Sequence, residues 1–89
     1  MGRVNVNFNH RLKEEISRIR REIGVFLGEE DSAALEELVV FWMENEHVLS
    51  NFSNPYLLGS LCLLSIIHVV SRLNVIEKKL EALEGVHDA

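Results

Sequence analysis

Along Arg3-Val4-Asn5-Val6-Asn7-Phe8 apolar and polar residues alternate strictly. This is the period of a strand, whose successive side chains point to opposite faces. It predicts a short N-terminal β-strand with Val4, Val6 and Phe8 on one face and Arg3, Asn5 and Asn7 on the other. The period then lengthens. Leu12, Ile16, Ile19 and Ile23 recur at steps of four, three and four, predicting a helix capped by Asn9 and ended at Gly24 by a left-handed residue. A second helix is expected from Asp31 or Ser32 to Leu49. Its main face is Leu35, Leu38, Val39 and Trp42, widened by Val40, Phe41 and Met43 so that burial on two sides is expected. Asn54-Pro55 then signals a third start. That helix should run to Glu84 and stop at Gly85, a length of about 45 Å at 1.5 Å per residue.

The third helix has two halves. Tyr56 to Val70 is apolar almost all round, interrupted by Gly59, Ser60, Ser65 and His68, whereas from Arg72 onward the pattern is amphipathic. One register runs through both. Cys62, Ile66, Val69, Leu73, Ile76, Leu80 and Leu83 follow alternating steps of four and three, the heptad spacing of a coiled-coil seam. Two shorter helices of the same chain cannot cover so long a seam, which points to self-association through it.

The lone strand also needs a partner, because an isolated strand is not stable. With no other strand in the chain, the expected partner is the same strand of a second copy. The expected fold is therefore mainly α, with a short N-terminal strand forming an intersubunit ribbon, followed by three helices. Residues 1–50 form one region and residues 51–89 the long helix, within a single compact unit. The expected oligomer interface is Val4, Val6 and Phe8 from the ribbon with Ile66, Val69, Leu73, Ile76 and Leu80 from the seam.

Charge sharpens this picture. The net charge is −5, but residues 1–24 hold six Lys or Arg against three Glu, while residues 25–54 hold seven acids and no Lys or Arg. A basic N-terminal end sits on an acidic body, which places anion binding at that end. Cys62 is the single cysteine, so there is no disulfide framework and no cysteine-based zinc site. The N-terminus has no apolar segment of a secretion signal, and a cytoplasmic location is expected. Asn51-Phe52-Ser53 is then a chance sequon. The apolar stretch before Arg72 is about 15 residues, short of the ~20 that span a bilayer, so no membrane role is expected.

The arrangement of Arg3-Val4-Asn5-Val6-Asn7-Phe8, then Asn9 to Ile16, then Ile23-Gly24-Val25, then Leu35 to Trp42 resembles the ribbon-helix-helix family of DNA-binding proteins. The resemblance covers the first half of the chain. It implies an obligate dimer whose paired strands enter the major groove of double-stranded DNA. Arg3, Asn5 and Asn7 would read bases, and Arg11 and Lys13 would contact phosphates. Arg and Asn are the side chains shaped for bidentate contacts to guanine and adenine. The chain departs from the family in its longer turn, Phe26-Leu27-Gly28, and in the acids Glu29, Glu30 and Asp31 that open the second helix and repel phosphate. A small regulator of this type, antitoxin-like with its long helix free to hold a protein partner, is the first expectation. The other is a helical oligomerisation or adaptor module that binds no nucleic acid.

The remaining motifs read blandly. Glu44-Asn45-Glu46-His47 has the Glu-x-x-His spacing of di-iron bundles, but no other Glu lies on an apolar stripe, so a solvated helix end is expected and no metal. His68, beside the seam, is expected to be a hydrogen-bonded core or interface histidine. His10, beside Arg11, could approach a phosphate. No nucleophile elbow, phosphate loop or activated cysteine occurs, so neither catalysis nor a cofactor is expected.

Overall fold

The structure is a computed structural model. It describes residues 2–52 and 56–88, with side chains from Phe8 to Phe52 and from Tyr56 to Gly85. The described residues form helices and no strand: α1 (Gly2–Glu22), a 3-10 turn (Gly24–Phe26), α2 (Glu29–Glu44), α3 (Glu46–Asn51) and α4 (Leu57–Asp88).

The expected N-terminal β-strand is corrected by this architecture. Residues 3–8 lie in the first turns of α1, so no ribbon forms. The physical reason lies in where the backbone bonds go. A single chain offers a strand no ladder, whereas extending a helix N-terminally adds one internal hydrogen bond per residue fixed. Phe8 also belongs to the helical register. Phe8, Leu12, Ile16 and Ile19 follow one another at steps of four, four and three, and all four are buried. Phe8 therefore fills the core of its own chain, not an intersubunit face. The side chains of Val4 and Val6 lie outside the described residues. Asn9 is inside α1 and caps nothing; its Nδ2 donates to both carboxylate oxygens of Glu46 at 3.0 Å, tying α1 to α3.

The core is built where three faces meet. The α1 stripe packs with Leu35, Leu38, Val39 and Trp42 of α2, Leu49 of α3, and Leu57 and Leu61 of α4. Leu12 and Leu61 are fully enclosed, at 0% exposure each. Ile23, placed on the α1 stripe by its spacing, is exposed instead, because the chain leaves the helix at Glu22. The helix end is followed by a 3-10 turn in which Phe26 N–H donates to Ile23 O at 3.0 Å and Leu27 N–H donates to Gly24 O at 3.2 Å. No described glycine has positive φ, so the left-handed stop expected at Gly24 is not used.

The second predicted helix is two helices. It starts earlier than expected, at Glu29, and the acids Glu29, Glu30 and Asp31 occupy its first turn. There negative charge meets the positive end of the helix dipole. It breaks at Asn45, whose φ of −111° and ψ of 27° leave the helical region. Asn45 Nδ2 donates to Phe41 O at 2.8 Å, a local bond by which Asn competes with continuation of the helix. Val48 and Leu49 N–H then bond to Asn45 O and start α3. The third helix runs past Gly85 to Asp88. Its expected start at Asn54-Pro55 falls on residues outside those described.

Candidate oligomer interface

The first turns of α4 are held from one side. Leu57, Ser60 and Leu61 are buried, and Leu64, Ser65 and His68 are half-buried. These positions share one face. Ser65 Oγ donates to Leu61 O at 2.7 Å and accepts from Trp42 Nε1 at 2.8 Å, so the indole N–H is satisfied inside the bundle. The His68 ring stacks on Phe41, with centroids 3.9 Å apart and planes at 21°. His68 is thus an intrachain packing residue. Arg72 Nη1 reaches Glu37 Oε1 at 3.4 Å, and this is the last link between α2 and α4 along the helix.

Every residue of α4 from Val69 to Gly85 is exposed, Arg72 included. Ten large apolar residues between Leu63 and Leu83 are each 48–60% exposed. Ile66, Val69, Leu73, Ile76 and Leu80 are among them, on the stripe that the heptad spacing predicts. The own-chain face (Leu57, Leu61, Leu64, His68) and the seam (Cys62, Ile66, Val69, Leu73) point in different directions around the helix, given 100° per residue. The bundle thus leaves the seam open instead of folding over it. The 58 Å long axis of the molecule reflects the projecting helix. By length and composition Leu57–Gly85 is also apolar enough to cross a membrane.

The cations assigned to DNA are placed differently from that expectation. Arg3, Asn5 and Asn7 lie in α1, and their side chains are outside the described residues. Arg11 and Lys13 are exposed on α1. His10 Nε2 lies 2.9 Å from Glu14 Oε1. Arg18 bonds Glu15 at 2.7 and 2.8 Å and Glu22 at 3.1 Å. Its hydrogen bonds hold the Glu15 carboxyl below the ordinary carboxylate range and raise its own pKa. Arg20 is engaged by Glu36 at 2.6 and 3.0 Å and lowers that carboxyl in the same way. Arg18 and Arg20, two of the six Lys or Arg in residues 1–24, are thereby neutralised within the chain. Glu44 and His47 are separated by the break at Asn45, and no cluster of metal-ligating side chains occurs among the described residues.

Several of these contacts were not read from the sequence. Trp42–Ser65, Asn9–Glu46 and Arg20–Glu36 join residues 16 to 37 positions apart, and no local spacing marks them. The serines that interrupt the apolar half of α4 were the available signal for a buried donor nearby. Comparison with protein-family models, with curated proteins and with solved structures returns no match.

Proposed function

We propose that this chain is a helical self-association module, in which α4 joins copies of the chain and carries the small bundle α1–α3 at one end. One observation carries the reading: the seam Ile66, Val69, Leu73, Ile76 and Leu80 keeps heptad spacing and is left uncovered by its own chain. A monomer seldom leaves so long an apolar stripe in water, and each Leu or Ile side chain fully buried is worth about 1.5–3 kcal/mol. The regulator reading needs a paired ribbon to present its base readers, and residues 3–8 are helical. The seam needs only a second α4.

A bilayer is the competing cover for apolar surface. Two features favour protein. The most apolar turns, Leu57 to His68, are wrapped on one face by α1–α3, whose outer surfaces carry the ion pairs described above. The turns after them carry Glu77, Lys78, Lys79, Glu81 and Glu84, so a span would have to end before Glu77 and would hold the charged Arg72 within it, a cost that a protein seam with its charges at the edges does not incur.

Sedimentation velocity at micromolar concentration, without detergent, tests the reading. The wild-type chain should sediment as a dimer or larger. Leu73→Glu should sediment as a helical monomer, while Ser71→Glu, which places the same charge off the seam, should assemble as wild type. A helical wild-type monomer, or a chain recovered with phosphatidylcholine vesicles on flotation instead of as a soluble oligomer, would refute it.

A further inference from the structure

We infer that the second copy docks on α4 in parallel and in register, with the partner's α4 running the same way. The inference rests on the self-association reading and adds its orientation. The heptad spacing fixes the positions. Ile66, Leu73 and Leu80 take one set of seam positions (a), and Cys62, Val69, Ile76 and Leu83 take the other (d). Arg72 and Lys79 then stand at the g edge of the seam, and Glu77 and Glu84 at the e edge. In a parallel pair, each g residue faces the e residue five positions further along the other helix, and these edge charges set orientation.

Counting along the chain, Arg72 faces the partner's Glu77 and Lys79 faces the partner's Glu84. By two-fold symmetry each pair occurs twice, so four unlike-charge contacts flank the seam. Reversing one helix brings g beside g and e beside e. Arg72 and Lys79 would then face cations, and Glu77 and Glu84 would face carboxylates. The same residues favour one orientation and oppose the other.

The geometry of the single chain permits this arrangement. Arg72 is exposed, and its guanidinium contact with Glu37 is long at 3.4 Å, so the side chain can lie between Glu37 and the partner's Glu77. α2 approaches α4 on the side of His68 and Arg72, as the Phe41–His68 stack and the Arg72–Glu37 pair mark. Ile66 and Leu73 remain 60% and 57% exposed, so the seam itself is unobstructed. In the parallel arrangement the two bundles sit at the same end of the pair. Apolar Leu63 and Val70, at the e edge nearer the bundle, widen the seam there.

Cys62 reports the orientation without alteration of the chain. It is exposed in one copy and occupies a d position, so in a parallel pair it faces the partner's Cys62. Facing d positions come close enough for a disulfide, which needs Cα atoms about 4.4–6.8 Å apart. In an antiparallel pair a positions face d positions, so Cys62 instead faces the partner's Leu80, toward the far end of the seam.

The test is oxidation of the full chain with copper–phenanthroline, after sedimentation has established that it is assembled. The wild type should convert to a disulfide-linked dimer. A chain carrying Cys62→Ser with Leu80→Cys should cross-link with itself as well, and an equimolar mixture of the two chains should give no mixed disulfide, because in parallel strands the two cysteines lie about 27 Å apart along the axis. An assembled chain in which neither form cross-links alone, but the mixture does, overturns the orientation and leaves self-association standing. A monomer in the sedimentation run removes both. As an independent arm, Glu77→Lys with Glu84→Lys should raise the dissociation constant about tenfold or more, since four weakly attractive exposed contacts become repulsive. An unchanged constant contradicts the parallel arrangement, because an antiparallel pair would only exchange one set of like-charge contacts for another.

Discussion

The two ends of α4 are one unbroken helix in two environments. Between Leu57 and His68 one face is filled by the chain's own leucines and the Trp42 indole. From Val69 to Gly85 every residue is exposed, and contact with α2 dwindles to the Arg72–Glu37 pair. Both stretches are rich in Leu, Ile and Val, so composition alone does not separate them. What separates them is direction and reach. The short helices α1–α3 can cover about three turns of α4 on one side, and they do so at Leu57, Leu61, Leu64 and His68. The seam points elsewhere and continues for several turns past the bundle. The proposed self-association assigns that unreached apolar surface to a second copy.

The largest expected effect contrasts a leucine from each stretch. Leu61→Ala empties a fully enclosed site and should cost about 2–5 kcal/mol, measured by urea unfolding and present at every protein concentration. Leu73→Ala lies on the uncovered stretch. Its loss should be confined to the assembled form, so that the melting temperature of the variant depends less on protein concentration than that of the wild type. Equal, concentration-independent losses at the two positions would mean that α4 is covered by its own chain along its whole length in solution.

A smaller contrast uses two serines. Ser65→Ala removes the acceptor of the Trp42 indole N–H and leaves a donor unsatisfied in the bundle, at a cost of about 1–3 kcal/mol. Ser71→Ala, six residues on, removes an exposed hydroxyl and should stay within about 0.5 kcal/mol of wild type. Urea unfolding at one fixed concentration distinguishes them. A Ser65→Ala chain as stable as wild type would mean that water replaces the serine, and that the bundle is less closed at Trp42 than its geometry indicates.

What could be read from the chain depended on whether the decisive interaction was local. The stripe Leu12, Ile16, Ile19 was legible because helical spacing and burial agree there, and the exposed seam on α4 was legible as a register with too few intrachain partners. The strand over residues 3–8 was misread because Val4, Val6 and Phe8 satisfy period two while Phe8, Leu12 and Ile16 satisfy the helical period. The residues shared by two patterns do not say which one wins, and no second strand occurs among the described residues to pair with the first. The split at Asn45 was missed for a different reason. The apolar pattern continues across it, and only the side-chain bond from Asn45 to Phe41 O reveals the competition. The clamps Asn9–Glu46 and Arg20–Glu36 depend on how helices cross, which no single-chain pattern states.

The smallest expected effect concerns charge on the bundle. Glu36 accepts two hydrogen bonds from Arg20 across α1 and α2, which lower its pKa below the ordinary 4.5. Glu15 is lowered likewise by Arg18 within α1. A carboxyl whose pKa is lower in the folded chain adds stability that is fully present above the unfolded value and is lost as pH falls through the lowered folded value. Acidification below about pH 4.5 should therefore weaken the bundle slightly. The effect is small because the Arg20–Glu36 pair and the Arg18 side of the Arg18–Glu15 pair are open to solvent and screened. Arg20→Gln removes the interhelical pair, so its unfolding midpoint should fall less than that of wild type over the same acid range, while the two differ only slightly at neutral pH. If the wild type and Arg20→Gln lose stability in parallel on acidification, the acid sensitivity comes from carboxyls other than Glu36, and the Arg20–Glu36 pair does nothing for the junction of α1 and α2.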